Sequence, residues 1–237
     1  MKPTYSKEPS VVAQEFNEFF TSVGLNVVEK AREYITIYDL PPFTEHLNTT
    51  NAGESLTFFC EPVSCETIGN IISAMPKNIA PGLDKITLNF IIDCLPYIIQ
   101  PITDIINSSL TQGIFPKAWK IAEIIPIPKT DKVEPASNNC PISLLPILFK
   151  ICERVIHQQF TNRPTINKLL STHQNGNKQY HSTETLGLQI TDDILNAMDC
   201  KDITAMILLD LSKAYDSISH SVLVAKLKSI GVSGITY

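Results

Sequence analysis

The feature that most constrains the fold is an apolar run that ends abruptly in an acid. Residues 203–209 read ITAMILL, and Asp210 follows directly. A continuous apolar run of this length is typical of a central strand that is covered on both faces of a sheet. The run therefore predicts a buried strand that presents Asp210 at its carboxyl end, where α/β sheets commonly bind ligands. The alternative is that Asp210 caps the turn or helix that follows.

Helical periodicity dominates the rest of the chain. Apolar residues recur at steps of three and four, which predicts amphipathic helices. The predicted helices cover about 11–32, 63–74, 88–113, 144–160, 186–198 and 223–230. Pro96 and Pro101 are expected to kink or divide the third of these helices. Residues 39–61 contain Pro-Pro and Asn-Thr-Thr-Asn and are interpreted as a linker or long loop.

Residues 118–128 are predicted to form a strand. Branched isoleucines favour extended backbone, and Pro126 and Pro128 place the segment near a sheet edge. Pro141 is interpreted as the entry to the helix at 144–160. The order of elements predicts a mixed α/β fold, of the α+β kind and helix-rich.

Composition excludes several classes of protein. The 237 residues are 43% hydrophobic and 18% charged, which argues against a wholly disordered chain. No apolar run approaches the roughly 18 residues of a membrane helix, and the first ten residues lack the core of a secretory signal. Six cysteines include no C-x-x-C pair, which argues against a zinc site or a disulfide scaffold. We therefore expect an intracellular protein, in nucleus or cytoplasm, with no membrane partner.

Charge is unevenly distributed along the chain. The formal net charge is -5, yet residues 117–178 contain 9 basic and 4 acidic side chains. A locally basic face can bind phosphates even when the whole protein is acidic. The alternative is ordinary variation of surface charge.

The residues around Asp210 resemble a known family. The segment ILLDLSKAYDSISHSVLVAKLKSIGVSG (207–234) is similar to the first catalytic palm motif of reverse transcriptases from non-LTR (LINE-type, jockey-like) retrotransposons. Further segments resemble other blocks in the family's order: QEFNEFFTSVG (14–24), PGLD (81–84), FPKAWKIAEIIPIPK (115–129), NNCPISLLPILFKICERVI (138–156) and HQNGNKQYHSTETL (173–186). Several blocks in the right order are far more specific than one short motif.

The resemblance implies a truncated, amino-terminal fragment of a reverse transcriptase domain. This fragment would contain the fingers and a partial palm of a right-hand polymerase. Residues 1–61 would form a helical connector and linker, 62–200 the fingers region and 201–237 the start of the palm. The implied reaction is RNA-directed DNA synthesis, in which a primer 3′-hydroxyl attacks an incoming nucleotide. The implied partners are an RNA template, a DNA primer and deoxynucleoside triphosphates, with Mg²⁺ as cofactor.

The resemblance also implies roles for single residues. Asp210 would be one metal-binding carboxylate of a two-magnesium site, and Leu211 would offer its backbone carbonyl to the same metal. Lys129 would meet the phosphates of the nucleotide; the alternative is a solvated loop lysine. Tyr215 would lie under the sugar and exclude a 2′-hydroxyl; the alternative is a packed aromatic at a helix start.

Three further residues would have supporting roles. Asp216 would be a structural partner near the site rather than a metal ligand. Lys178 would keep a positive charge in the family's insert before the palm strand. Gly82 would allow a close backbone approach to the template or to neighbouring fingers elements.

The chain departs from the family pattern at two places. Asn139-Cys140 stands where the family usually has Tyr-Arg, and cysteine supplies neither the charge nor the planar fork of arginine. Gly176-Asn177-Lys178 stands where the family usually has Gly-Phe-Arg.

The family's second acidic motif, an aromatic residue followed by Ala-Asp-Asp, is not found in the sequence. Asp192-Asp193 is no substitute, since it falls inside a predicted amphipathic helix. We therefore expect the isolated chain not to polymerise. Two alternatives stay open: a non-catalytic nucleic-acid-binding remnant, and an inert relic of a mobile element.

Overall fold

The computed structural model describes residues 7–40, 57–130, 135–166, 171, 173–211 and 213–232. The elements of these ranges are helices α1 (Pro9–Ile37), α2 (Cys65–Ala74) and α3 (Leu88–Gln112), strands β1 (Glu123–Pro128) and β2 (Asn139–Leu144), and helices α4 (Ile147–Ile166), α5 (Thr183–Asp199) and α6 (His220–Ser229), with short 3₁₀ helices at Lys117–Lys120 and Ala136–Asn138. The described chain is therefore helix-rich with a small two-stranded sheet, in agreement with the predicted helix-rich α+β class.

The chain divides into two compact units. The first contains residues 1–162 together with 213–237, and the second contains residues 163–212. The predicted linker at 39–61 falls largely outside the described residues. Within the described ranges, no helix is both long enough and apolar enough to span a bilayer.

The core of the first unit is built by α2, α3 and α4. Their periodic apolar faces meet there, and Ile72, Ile106 and Ile151 are fully buried. Hydroxyl caps start two of the helices: Ser64 Oγ accepts a hydrogen bond from the Thr67 amide, and Thr87 Oγ1 accepts one from the Phe90 amide. The periodicity of the sequence predicted all three helices.

Helix α3 is not divided by its two prolines. It runs without interruption from Leu88 to Gln112 although Pro96 and Pro101 lie inside it, so of the two expected effects, a kink or a division, the division is wrong. Both proline rings lie on the exposed side, and the opposite apolar face is buried in the core. Burial of that face offsets the hydrogen bonds that the prolines remove. Gly113 ends the helix in the left-handed conformation, with φ 65°.

β1 and β2 form an antiparallel hairpin in which Pro126 lies opposite Pro141. The prediction of a strand is confirmed for β1, but residues 118–120 belong to a 3₁₀ helix. The interpretation of Pro141 as a helix entry is wrong, since it lies inside β2 and α4 begins only at Ile147. Proline fits here because, among the described residues, each strand of the hairpin pairs only with the other, and position 141 needs no donor to the partner strand.

The second unit contains α5 and the segment after it. Ser182 and Thr185 form a capping box at the start of α5, each side chain accepting a hydrogen bond from the other's amide. The predicted helix is confirmed, but none of its residues is fully buried.

The predicted central strand at 203–209 is wrong. Residues 202–211 have no regular secondary structure, and Ile203 and Leu209 are 99% and 88% exposed. A central strand needs neighbours on both edges to bond its amides and carbonyls and to cover its side chains. No described residue pairs with this segment.

Helix α6 and the residues after it return to the first unit. The predicted helix is confirmed, and Gly231 follows it with φ 88°. The Phe58 amide donates to the Gly231 carbonyl at 2.8 Å, and Phe58 forms an isolated parallel bridge with Val232. The ring of Phe58 packs edge-on against Phe160 of α4 at 5.4 Å.

Candidate functional site

Asp210 lies at the end of the irregular segment of the second unit. Its side chain is exposed, and it makes no hydrogen bond or ion pair with any described residue. It caps no helix, because the N-cap of the next helix, α6, is Ser219. The neighbouring Leu211 is 76% exposed. The carboxylate is therefore accessible, as a ligand-binding group must be, although the strand expected to present it is not formed.

Lys129 lies where β1 ends, and its side chain is exposed. Its backbone amide donates to the Asn138 carbonyl at 2.8 Å, which continues the hairpin ladder by one rung. The Asn138 side-chain amide donates to Thr130 Oγ1 at 2.7 Å and links the two ends of the connection. The backbone beneath Lys129 is thus fixed, while its ammonium group faces solvent.

The turn after Asp210 contains a second lysine, Lys213. Lys213 is half-buried, and its Nζ lies 3.8 Å from the centre of the Phe19 ring on α1. Burial lowers the pKa of Lys213; the carboxylate of Asp216 opposes this shift, and the positive charge of Lys129 adds to it. The charges of Asp216 and Lys129 therefore act on the ammonium group of Lys213 in opposite directions.

Sequence reasoning missed both Lys213 and Phe19. The signal for Lys213 was its position three residues after Asp210 in LDLSKAYD. Phe19 lies in the helix predicted at 11–32, for which no role in the site was predicted. Nothing in the sequence alone showed that α1 and this turn are in contact.

Tyr215 and Asp216 lie in the same turn, and both are exposed. Tyr215 is 83% exposed, and its ring stacks on no other described aromatic ring. An exposed ring in this turn is available to a ligand, which a packed aromatic would not be.

Gly82 is buried where the chain before α3 crosses the chain before α4. A Cβ at this position would lie 2.5 Å from the Pro146 nitrogen and 2.6 Å from the Leu145 carbonyl carbon. The following turn is tied to β1, since Lys85 Nζ lies 2.6 Å from Glu123 Oε2. The close approach in this structure is therefore to neighbouring protein backbone.

Lys178 belongs to the second unit and is half-buried. Its carbonyl accepts a hydrogen bond from the His181 amide at 3.2 Å, in a loop where Asn177 adopts φ 55°. Cys140 is exposed on β2. It lies opposite Ile127 of β1, which is two residues before Lys129 in the sequence.

The described residues do not complete a metal site. No three potential ligands among histidine, cysteine, aspartate and glutamate come together in the described part of the chain. Magnesium takes oxygen ligands in octahedral geometry, and a metal pair needs several carboxylates. Asp210 fits one contributor to such a site and not the whole of it.

Comparison with known proteins identifies this part of the chain. Residues 127–236 match the family described as reverse transcriptase (RNA-dependent DNA polymerase). These residues belong to the reverse transcriptase family. The matched range contains Lys129, Asp210 and Tyr215.

Curated relatives agree with this assignment. The chain is 32% identical over 190 residues to the probable RNA-directed DNA polymerase from transposon BS of Drosophila melanogaster, covering 79% of this chain and 21% of the relative. It is 35% identical over 170 residues to the RNA-directed DNA polymerase from mobile element jockey of the same species, covering 71% and 18%. It is 34% identical over 167 residues to the probable RNA-directed DNA polymerase from transposon X-element, covering 69% and 18%. The chain thus spans about a fifth of the length of these relatives. The resemblance to non-LTR, jockey-like elements is confirmed.

Proposed function

We propose that this chain supplies the fingers and the first palm carboxylate of a retrotransposon RNA-directed DNA polymerase. The observation that carries the proposal is the family match over residues 127–236, in which Asp210 is accessible and engaged by no described group. The proposed partners are an RNA template, a DNA primer and deoxynucleoside triphosphates.

Each candidate residue has a chemical task in this proposal. Lys129 supplies a fixed positive charge to the phosphates of the nucleotide, where negative charge develops during transfer. The exposed ring of Tyr215 lies against the sugar and disfavours a 2′-hydroxyl. Asp210 and the Leu211 carbonyl contribute oxygen ligands for Mg²⁺, and the remaining ligands come from outside the described residues.

Asp216, Lys178 and Gly82 have indirect tasks. The carboxylate of Asp216 acts on the ammonium group of Lys213 and offsets its positive charge. Lys178 adds positive charge to the segment before Asp210. Gly82 lets the fingers backbone segments pack closely.

The test is a chimera in which this chain is joined to the downstream part of the Drosophila melanogaster jockey polymerase. Primer extension on an RNA template is expected from the chimera and not from the 237 residues alone. Asp210→Asn should lower the rate on the order of a thousandfold, because it removes a metal-binding carboxylate. Asp192→Asn, on the exposed surface of α5, is the matched control and should leave the rate unchanged. An active Asp210→Asn chimera would contradict the proposal.

A second candidate function is non-catalytic binding of nucleic acid. The exposed Cys140 stands where the family usually has arginine, so the hairpin lacks that phosphate clamp for the nucleotide. This difference favours a function without catalysis. Binding of the 237-residue chain to a fluorescent single-stranded RNA, measured at several salt concentrations, separates the candidates. An affinity that falls steeply with salt and is unchanged by Asp210→Ala, together with an inactive chimera, supports non-catalytic binding of nucleic acid.

A further inference from the structure

Helix α1 lies outside the matched range 127–236, yet it lies against the β1–β2 hairpin. Phe16 is buried on the inner face of α1. A cavity of about 590 Å³ between α1 and β1 is lined by apolar side chains that include Phe16 and Ile124. α1 also contacts the 3₁₀ helix Ala136–Asn138 that leads into β2. The first part of α1 is therefore held on the hairpin.

The middle of α1 contacts the turn at residues 213–217. A Cβ at Gly24 would collide with the Asp216 carbonyl oxygen, so the helix approaches the turn this closely only because position 24 has no side chain. Five residues earlier, the Phe19 ring lies beneath Lys213 Nζ, which is 3.8 Å from the ring centre. An ammonium group over an aromatic face is a favourable contact. α1 therefore holds the turn at two points, one on its backbone and one on a side chain.

The two contacts lie on either side of Tyr215 in the sequence. Lys213 begins the turn in the left-handed conformation, with φ 54°, and the Ser217 amide donates to the Lys213 carbonyl at 3.1 Å. The side chain of Tyr215 is 83% exposed, so packing around its own ring does little to orient it. A functional side chain must be held in place by supporting contacts, and here these act through the backbone of the turn. The direction of Tyr215 therefore depends on how Lys213 and Asp216 contact α1.

We propose that α1 positions Tyr215 for discrimination between deoxynucleotides and ribonucleotides, with Gly24 and Phe19 as the positioning residues. Gly24 sets how closely the helix approaches the turn, and Phe19 holds Lys213 at the start of the turn. The task of Tyr215 rests on the proposed polymerase function, whereas the contact of α1 with the turn does not. The inference assigns a role in substrate selection to a helix outside the family match.

The first test measures the selectivity of the chimera with the jockey polymerase, as the ratio of kcat/KM for dCTP to that for CTP on an RNA template. Gly24→Ala should lower this ratio roughly tenfold, because its methyl group displaces the turn and a misplacement of about 1 Å can cost about a hundredfold in rate. Gly69→Ala in α2 is the matched control, since a Cβ there meets nothing within 4 Å, and it should keep the wild-type ratio. Equal losses of kcat/KM for both nucleotides in Gly24→Ala would overturn the proposal.

Phe19 provides a second test that introduces no clash. Phe19→Leu should lower the ratio roughly threefold, because the aromatic face beneath Lys213 is lost, and Phe19→Tyr should keep the wild-type ratio. In the Tyr215→Ala background, Phe19→Leu and Gly24→Ala should change the ratio by less than about twofold, because both act through that ring. Full effects in that background would overturn the positioning role.

A third measurement needs no polymerase activity. In the full 237-residue chain, hydrogen exchange of the Ser217 amide, followed by NMR, should be on the order of fivefold faster in Gly24→Ala, because the turn is held less firmly. Gly69→Ala should exchange like the wild type. Unchanged exchange in Gly24→Ala would show that α1 does not hold the turn. If Gly24→Ala fails to fold, exchange and selectivity in Phe19→Leu and Phe19→Tyr decide the question.

The two failures are distinguishable. Failure of the polymerase proposal is seen as an inactive chimera or an active Asp210→Asn chimera; it removes the role of Tyr215 and leaves the exchange result for the turn. A chimera that requires Asp210, but whose selectivity is unchanged by Gly24→Ala and Phe19→Leu, overturns the role of α1 alone.

Discussion

Two apolar regions of this chain differ in burial. In the first unit, Ile72 of α2, Ile106 of α3 and Ile151 of α4 are completely buried. In the second unit, residues 203–209 are just as apolar, but Ile207 is 83% exposed and lies in no strand. Helices satisfy their own backbone and need only one partner face, whereas a strand also needs neighbours for its amides and carbonyls. Apolar composition therefore indicates that a segment is suited to burial, but it does not show whether the fold provides an element that covers it.

The largest expected effect tests this contrast directly. Ile151→Ala should lower the free energy of unfolding by about 2–5 kcal/mol, since it opens a cavity in a packed core. Ile207→Ala, the same change in the second unit, should alter it by less than about 0.5 kcal/mol. Urea denaturation followed by circular dichroism measures both. A comparable loss in Ile207→Ala would show that residues 203–209 are buried in solution.

The cysteines extend the comparison to chemical reactivity. Cys152 in α4 is completely buried, and desolvation raises the pKa of its thiol to about 11. A raised thiol pKa leaves little thiolate at pH 8, so alkylation by iodoacetamide should be on the order of a hundredfold slower than at the exposed Cys200. Mass spectrometry of the labelled peptides gives both rates.

The sign of the pH effect follows from the same shift. Thiolate at Cys152 increases only as the pH rises toward 11, so its labelling should accelerate at alkaline pH in the folded protein. In urea, Cys152 and Cys200 should react at similar rates. Rapid labelling of Cys152 at pH 8 without urea would contradict the packed core.

Substitutions at two glycines provide the smallest contrast, and their expected effects on stability have opposite signs. Gly82→Ala should destabilise the protein by about 1–3 kcal/mol, because the new methyl group meets the backbone of Pro146. Gly187→Ala in α5 meets no atom within 4 Å and should stabilise by about 0.5–1 kcal/mol through helix propensity. Melting temperatures measured side by side are sufficient. A neutral Gly82→Ala would show that the approach of the two backbone segments is looser than described.

The sequence predicted what local physics determines. The helices follow from apolar spacing, and the bounds at Thr87 and Gly113 follow from a hydroxyl cap and a left-handed glycine. The fate of residues 203–209 was not predictable, because the same apolar run fits a covered strand or an uncovered segment. Pro141 was assigned to the wrong element because proline is common both at helix starts and in edge strands.

The candidate site was predictable only where a motif carried it. Asp210, Lys129 and Tyr215 were identified from the resemblance, and their roles in the site are proposals. The contact of Lys213 with Phe19 joins residues about 195 positions apart, which no local pattern encodes.

The three prolines of the hairpin have a consequence for assembly. The bond from the Lys129 amide to Asn138 sets the alternation of the ladder, so the backbone nitrogens of Pro126, Pro128 and Pro141 face away from the partner strand. Those outward positions are where a newly arriving strand would need amide donors, and proline has none. On each flank of the β1–β2 ribbon, proline thereby removes donors that fibril-like growth would use.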